Sequence, residues 1–277
     1  MSGSTLVSTA ELSRDLARWR LFDCRHDLAK PDWGQSQYRE AHIPGALFAH
    51  LDRDLSAPKT GTNGRHPLPD LKVFISWLEK QSLKPENPVL CYDAGNGAMA
   101  ARLWWLLRWV GHDAVSVLDG GFAKWTKEGR PVTAEAPVFP ATKYSSKIRA
   151  GASVPVKDVQ ENLNSIFLLD ARAPARYRGE QEPIDPEAGR IPGALNRFNN
   201  DNMTPDGVFK DKDLLKQEFL KVLGHKPPAE IVHYCGSGVS ACHNLLAMEV
   251  AGLPGGRLYA GSWSEWIADP ARPREKD

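Results

Sequence analysis

The chain is written twice, and this repeat constrains its fold more than any other feature. LFDCR at 21–25 returns as LLDAR at 168–172, and YREAHIPGA at 38–46 returns as YRGE at 177–180 followed, after an insertion, by GRIPGA at 189–194. PVLCYDAGNG at 88–97 is echoed by EIVHYCGSG at 230–238, and LDGGFAKW at 118–125 by YAGSWSEW at 259–266. The offset is 147 from Asp23 to Asp170, 142 from Tyr92 to Tyr234 and 141 from Trp125 to Trp266. The blocks keep their order, and drift of this size is what loop insertions produce. Two units, each long enough for its own core, imply a duplicated domain rather than a solenoid.

Each copy alternates two kinds of pattern. Short apolar runs, several ending at an acid (RLFD, SIFLLD, PVLCYD, EIVHYC, and more weakly AVSVLDGG and RLYAGS), are separated by longer stretches of helical spacing. AMAARLWWLLRWVG at 98–111 and SACHNLLAMEVAG at 240–252 are two such stretches, and both stop at glycine. Alternating βα units with fully apolar strands predict an α/β fold, each copy a mostly parallel sheet with helices on both faces. The proline- and serine-rich stretch 135–156 is the expected joint. We place the boundary near residue 145, giving an N-terminal domain 1–145 and a C-terminal domain 146–277.

Composition excludes several classes of function. Lys+Arg is 35 against Asp+Glu 34, so the net charge of +1 leaves no basic stripe for nucleic acid. No run approaches the roughly 18 apolar residues of a membrane span, and the N-terminus lacks the basic and apolar regions of a signal peptide. The four cysteines, Cys24, Cys91, Cys235 and Cys242, form no C-x-x-C pair and are too few for a disulfide scaffold. A reduced cytoplasmic compartment is therefore expected. The eight histidines contain no H-x-x-x-H or H-E-x-x-H spacing, so no metal and no cofactor is expected.

The most reactive position is Cys235. It falls where an apolar strand gives way to a glycine loop and then a helix, and in parallel sheets the carboxyl ends of strands carry the ligand sites. The backbone from Gly236 and Gly238 through Val239 and Ser240 is expected to form an anion cradle. Those N–H groups, with the helix dipole, favour thiolate over thiol and make the sulfur nucleophilic. An isolated cysteine is more often buried and inert, but strand end, glycine loop and helix start together favour the reactive reading. The first copy has Asp93 at this position, in a loop one residue longer, and an aspartate cannot perform thiolate chemistry. One nucleophile per chain is expected, with Cys24, Cys91 and Cys242 as packing residues.

These blocks together resemble the two-domain rhodanese-type sulfurtransferases over nearly the whole chain, and so imply tandem rhodanese-like domains. Thiosulfate-preferring members carry basic residues just after the cysteine. CGSGVSA here is similar instead to the CGSGVTA of the branch that uses 3-mercaptopyruvate. The resemblance implies a ping-pong cycle in which Cys235 takes sulfane sulfur as a persulfide, releases pyruvate and passes the sulfur to cyanide or a thiol, a thioredoxin-like reductant included.

The resemblance also implies roles for individual residues. Ser237 would relay a proton to the departing enolate, with His66 of GRHPLP and Asp52 of HLDRDLS from the first copy. On sequence alone His66 reads equally well as an ordinary loop histidine, and Asp54 stands two residues from Asp52. Arg176 of ARYRG matches a substrate-carboxylate arginine, although most arginines are simply on the surface. A second such arginine belongs in an EPR block, but this chain reads EPI, with Ile184 in its place. Arg190 before IPG is a candidate substitute. Two alternatives stay open: a thiosulfate:cyanide sulfurtransferase, and a non-enzymatic sulfur-carrier or regulatory scaffold. A phosphatase would need Cys-x5-Arg. The sixth residue after Cys235 is Ala241, and no arginine occurs from 236 to 256.

Overall fold

The computed structural model describes residues 4–277. They form two compact units that are not simply the two halves of the sequence. The first takes the chain up to Ala57, Pro69–Arg149 and Pro205–Phe209; the second takes Pro58–Leu68, Ala150–Thr204 and Lys210–Asp277.

The first unit holds five strands, β1 (Leu6–Val7), β2 (Arg20–Asp23), β3 (Ala46–Phe48), β4 (Val89–Tyr92) and β5 (Val115–Leu118). All are parallel, in the order β1-β5-β4-β2-β3. The second unit holds β6 (Phe167–Asp170), β7 (Leu195–Asn196), β8 (Ile231–Tyr234) and β9 (Arg257–Leu258), parallel in the order β7-β6-β8-β9. The missing fifth position survives as a single parallel bridge from Ser153 to Leu258. Ser153 stands 147 positions after Leu6, and Leu258 141 after Val117, which is the β1–β5 pair of the first unit. The α/β reading with parallel sheets flanked by helices is therefore correct in both units.

Each sheet is buried because its strands are apolar on both faces. Every residue of β4, β5 and β8 is buried, as parallel strands covered by helices require. The helices Ala98–Trp109 and Ser240–Val250 are buried along most of their length and stop two residues before Gly111 and Gly252. Repeated hydrogen bonds close the two cores alike. Fully buried Trp125 and Trp266 donate their indole N–H to the carbonyls of Pro131 and Pro273, both at 2.8 Å. Tyr38 and Tyr177 donate their hydroxyls to Ala46 and Ala194 at 2.7 and 2.5 Å. Polar groups that must be buried thus find partners, and the tryptophans act as core.

Not every buried polar atom is paired, and among the described residues His233 is the case with two unpaired atoms. His233 lies in the middle of β8, fully buried, with no hydrogen bond on either ring nitrogen. Burial pushes its pKa down to about 3, so the folded ring is neutral while the unfolded one takes up a proton below about pH 6.5. Unfolding therefore binds a proton as the pH falls from about 6.5 toward 3, and stability is lost across that window. In urea titrations at pH 7 and pH 5, the second unit should lose about 2 kcal/mol through this group. The variant His233→Leu should lose correspondingly less. Parallel losses in the two proteins would show that His233 does not carry this pH dependence.

Candidate active site

β8 delivers Cys235 directly after Tyr234, at the carboxyl end of the central strand pair of its sheet. Its backbone is fastened to the short helix Ser262–Trp266. The Cys235 N–H donates to Ser262 Oγ at 3.1 Å, and the carbonyls of Cys235 and Gly236 accept from Trp263 and Ser264 at 3.0 and 2.9 Å. Ser262 adopts a left-handed φ of 56°. The first unit has Gly121 at the matching position, with φ 55°. A serine in a glycine's conformation is a costly choice. Here its hydroxyl both holds Cys235 and donates to the Tyr259 carbonyl at 3.0 Å.

The loop then folds back over the sulfur. Cys235 Sγ accepts the N–H of Ser237 at 3.4 Å and of Gly238 at 3.1 Å. Two donors aimed at one buried sulfur stabilise negative charge there. Gly238 has φ 76°, and a Cβ on it would lie 2.3 Å from the Ala260 carbonyl oxygen, so only glycine fits. Val239 and Ser240 follow as the last loop residue and the first residue of the helix, where backbone N–H groups are free of intrahelical partners.

The proton-relay candidates fall into two groups. Residues 58–68 pack as part of the second unit, and His66 Nδ1 lies 2.8 Å from Ser237 Oγ with both side chains buried. His66 is thus a partner of the loop serine rather than an ordinary loop residue. Asp52 belongs to the first unit, where its carboxylate is 3.8 Å from His26 Nε2 and its N–H donates to His50 Nδ1 at 3.1 Å. Asp54 accepts the N–H of His50 at 2.8 Å.

Arg176 reaches the same loop. Its Nε and Nη2 donate to Glu182 at 3.0 and 2.6 Å, and Nη2 also to Asp185 at 3.1 Å. A Cβ built on Gly236 would meet Arg176 Nη2 at 3.3 Å and Arg65 Nη2 at 2.6 Å. Arg65, next to His66 in GRHPLP, went unnoticed in the sequence. Arg190 does not take the place of the missing arginine. Its guanidinium pairs with Glu275 and Asp277 of the C-terminal tail and stacks on Tyr177. The side chain of Ile184 is exposed.

The first unit's loop meets the same need for an anion internally. Asp93 Oδ1 accepts the N–H groups of Gly95 and Gly97 at 2.9 and 3.0 Å, and Oδ2 those of Met99 and Ala100 at 2.9 and 3.2 Å. Three residues separate Asp93 from left-handed Gly97, and two separate Cys235 from left-handed Gly238, which is the one-residue difference in loop length. The remaining cysteines are buried. Burial pushes the Cys24 thiol well up, and the neighbouring Cys91 adds to the effect. Cys242 donates its thiol to the Gly238 carbonyl at 3.2 Å. All three are enclosed in the packing of their units.

Among the described residues, one group has metal-ligand atoms close together: His26, His50 and Asp52, within 4.8 Å of one another. His50 Nδ1 is already engaged there, accepting the N–H groups of Asp52 and Arg53 at 3.1 and 3.4 Å, and burial pushes the ring toward its neutral form. Also among the described residues, no helix is long and apolar enough to cross a membrane.

Comparison with known proteins agrees with this geometry. A family model described as "Rhodanese-like domain" matches residues 8–128 and again 155–269. A Pseudomonas aeruginosa protein named "Probable 3-mercaptopyruvate sulfurtransferase" is 46% identical over 279 residues, covering 99% of this chain and 98% of its own. The mouse protein named "Thiosulfate sulfurtransferase" is 36% identical over 248 residues, covering 84% of this chain and 80% of its own. Among solved structures, 3-mercaptopyruvate sulfurtransferase from Leishmania major superposes with a TM-score of 0.89 at 32% identity, covering 99% of this chain and 76% of that one.

The Asp93 cradle should be visible as stability. Asp93→Ala strands four N–H groups that the carboxylate now satisfies, and should cost the first unit about 2–4 kcal/mol in denaturant unfolding. Asp93→Asn should cost less, because the amide oxygen can still accept. A loss under about 0.5 kcal/mol in Asp93→Ala would mean that water replaces the carboxylate at no net expense.

Proposed function

The chain belongs to the rhodanese-like family of sulfurtransferases, and from that premise we propose that Cys235 takes the thiol sulfur of 3-mercaptopyruvate, holds it as the sulfane sulfur of a persulfide and hands it to a thiol, for which cyanide substitutes. The Cys235 thiolate attacks the donor's sulfur. The carbon–sulfur bond breaks, its electron pair leaves as the enolate of pyruvate, and the sulfur stays on the enzyme as a persulfide. The enolate takes a proton to become pyruvate. An acceptor thiolate or cyanide then attacks the outer sulfur and regenerates the Cys235 thiolate.

The observation that carries this reading is the pair of N–H groups aimed at Cys235 Sγ within a loop whose serine is bonded to His66. The first supports a sulfur anion, and the second supports a proton source beside the leaving enolate. A hydroxyl 2.8 Å from an imidazole can give up its proton and be resupplied from the ring. Such a relay serves a carbon leaving group, whereas sulfite, the group that departs from thiosulfate, needs no proton to leave. Asp52 enters as the third relay member on the resemblance alone.

The first unit's loop offers an analogue of the loaded enzyme. An aspartate runs Cβ–Cγ–Oδ and a cysteine persulfide Cβ–Sγ–S, with the same number of bonds. Asp93 Oδ2 sits on the N–H groups of Met99 and Ala100. The matching residues of the second loop are Ser240 and Ala241, at the start of their helix. Their N–H groups are the place for the outer sulfur, so loading should favour one anionic persulfide per chain. Mass spectrometry after donor treatment should find one labile sulfur, lost in Cys235→Ser. Two would require a second nucleophile.

Donor choice is tested by kcat/KM for 3-mercaptopyruvate and for thiosulfate, with cyanide as the common acceptor. The expected ratio is about a hundredfold in favour of mercaptopyruvate, or about 2.7 kcal/mol of transition-state binding. Ser237→Ala should lower mercaptopyruvate turnover by tenfold or more and thiosulfate turnover much less. A reversed donor ratio would make this a thiosulfate sulfurtransferase. Activity with neither donor would favour the carrier or scaffold role.

A further inference from the structure

The geometry points to a second ligand site, a cavity in the first unit at the amino-terminal end of β2 that binds a small organic anion with a flat apolar body. It encloses about 450 Å³. Leu16, Trp19 and Phe139 supply apolar wall, and Arg18, Arg20 and Asn87 supply the polar groups. Arg20 opens β2 and pairs in register with Val89 of β4, whereas the Asp93 loop follows the far end of that strand. The cavity and the Asp93 loop therefore lie at opposite ends of the same strands.

Arg20 makes this cavity selective. Its guanidinium carbon lies 3.6 Å from the centre of the Phe139 ring, stacked on a residue of the joint between the copies. Its one hydrogen bond is long, from Nη2 to the Ser82 carbonyl at 3.5 Å; its Nε is buried without a partner and Nη1 bonds nothing. Among the described residues no carboxylate pairs with Arg20, or with Arg18, which lies over Trp19. The buried arginines Arg25, Arg172 and Arg197 each have such a carboxylate, as a cation withdrawn from water needs. Burial pulls the pKa of Arg20 down, with no acid to hold it up. The Asn87 side chain spends its oxygen on the Lys84 N–H at 2.9 Å, which leaves its amide N–H groups as further donors.

The repeat supplies a comparison within the chain. The second unit has a cavity at the matching place, of about 620 Å³, beside Ile166, Phe167 and Pro192. Both cavities are walled by an IPGA turn, closed by the Ala46 N–H on the Ile43 carbonyl at 3.0 Å and by the Ala194 N–H on the Ile191 carbonyl at 3.2 Å. The fold thus leaves the space in both copies, and charge distinguishes them. Where the first copy has Arg18 and Arg20, the second has Ser165 and Phe167, 147 residues later. Its one lining cation, Lys226, is exposed and sits over Phe167.

Two guanidinium groups without carboxylates suit an anion, and a carboxylate matches the planar fork of Arg20 in direction as well as charge. Leu16, Trp19 and Phe139 suit a flat apolar body behind it. A cavity of this size, largely apolar with a few placed donors, is the ordinary form of a small-molecule site.

The test titrates the full-length protein with sodium benzoate at constant ionic strength, by calorimetry and by the NMR signal of the Arg20 Nε–H. One site is expected, with a Kd of about 1 mM or tighter, and the Arg20 signal should shift with the same Kd. Arg20→Gln should raise the Kd about tenfold or more, and Arg20→Lys, which keeps the charge but not the plane, by less. Phe139→Ala removes one wall from a segment outside any helix or strand, and should raise it about threefold. Benzamide, the same shape without the charge, should bind about tenfold more weakly. Cys235→Ser and Arg176→Gln should leave the benzoate Kd within twofold. No binding by the wild-type protein would overturn the assignment, as would Kd values within twofold of wild type in both Arg20→Gln and Phe139→Ala. Loss of binding in Arg176→Gln would place the benzoate beside the Cys235 loop instead. Benzamide binding as tightly as benzoate would make the cavity a bare apolar cleft, and sulfate binding as tightly would remove the need for an apolar body.

Discussion

Backbone N–H groups that converge at a strand-to-helix turn must be given negative charge, and much of each unit is built around how that need is met. In the first unit the chain supplies the charge itself. Asp93 turns back into the cradle and takes four N–H bonds, closing the site. In the second unit the cradle receives only a sulfur atom, with two donors on it. The carboxylate takes four donors where the sulfur takes two. The same fold thus presents a self-filled loop in one unit and a cysteine loop in the other, differing in the residue at the strand end, in one residue of loop length and in Gly121 against Ser262.

That cradle can be aimed only if the strand ends beside it are rigid, and both units fix them with the same buried network. Asp23 and Asp170, at the ends of β2 and β6, each bind a guanidinium two residues on, Arg25 and Arg172, through several bonds of 2.6–3.1 Å. Each arginine also donates to a loop carbonyl, Arg25 to Ala41 at 2.6 Å and Arg172 to Gly189 at 2.7 Å. Tyr92 and Tyr234, at the ends of the neighbouring strands, accept the N–H groups of Ile43 and Ile191. Burial pushes the Asp23 carboxyl up, against the pull of Arg25. Replacing one member of such a pair would leave a buried charge unanswered, at about 3–5 kcal/mol. The network joins three repeated sequence blocks, and this is why LFDCR, HIPGA and the strand-end tyrosine return together in the second copy.

The repeat made the architecture legible. Apolar runs became β2, β4, β6 and β8, and even the lone Ser153–Leu258 bridge lies at the offsets seen elsewhere. Cys235, Ser237 and the loop glycines were legible because local sequence dictates a strand–loop–helix turn. Arg65 was not, since its bonds to Asp185 and Ser264 span 120 and 199 residues. Nothing local announces that residues 58–68 pack with the other unit. Arg190 misled for a related reason: it stands beside the IPG block, but the acids that claim it come from the last three residues of the chain.

Ser262 was legible and passed over, and its signal was a departure between the copies rather than a match. Where the first copy has Gly120-Gly121, the second has Gly261-Ser262. A left-handed φ on a serine costs about 1–2 kcal/mol, which glycine would avoid. The first unit avoids it, and there the residue after the β4 strand is an aspartate already held by four bonds. The second unit accepts the strain, and the hydroxyl it gains holds the N–H of Cys235. Strain of this kind is expected where position matters more than stability. The turn that carries Cys235, with two N–H groups on its sulfur, is such a place.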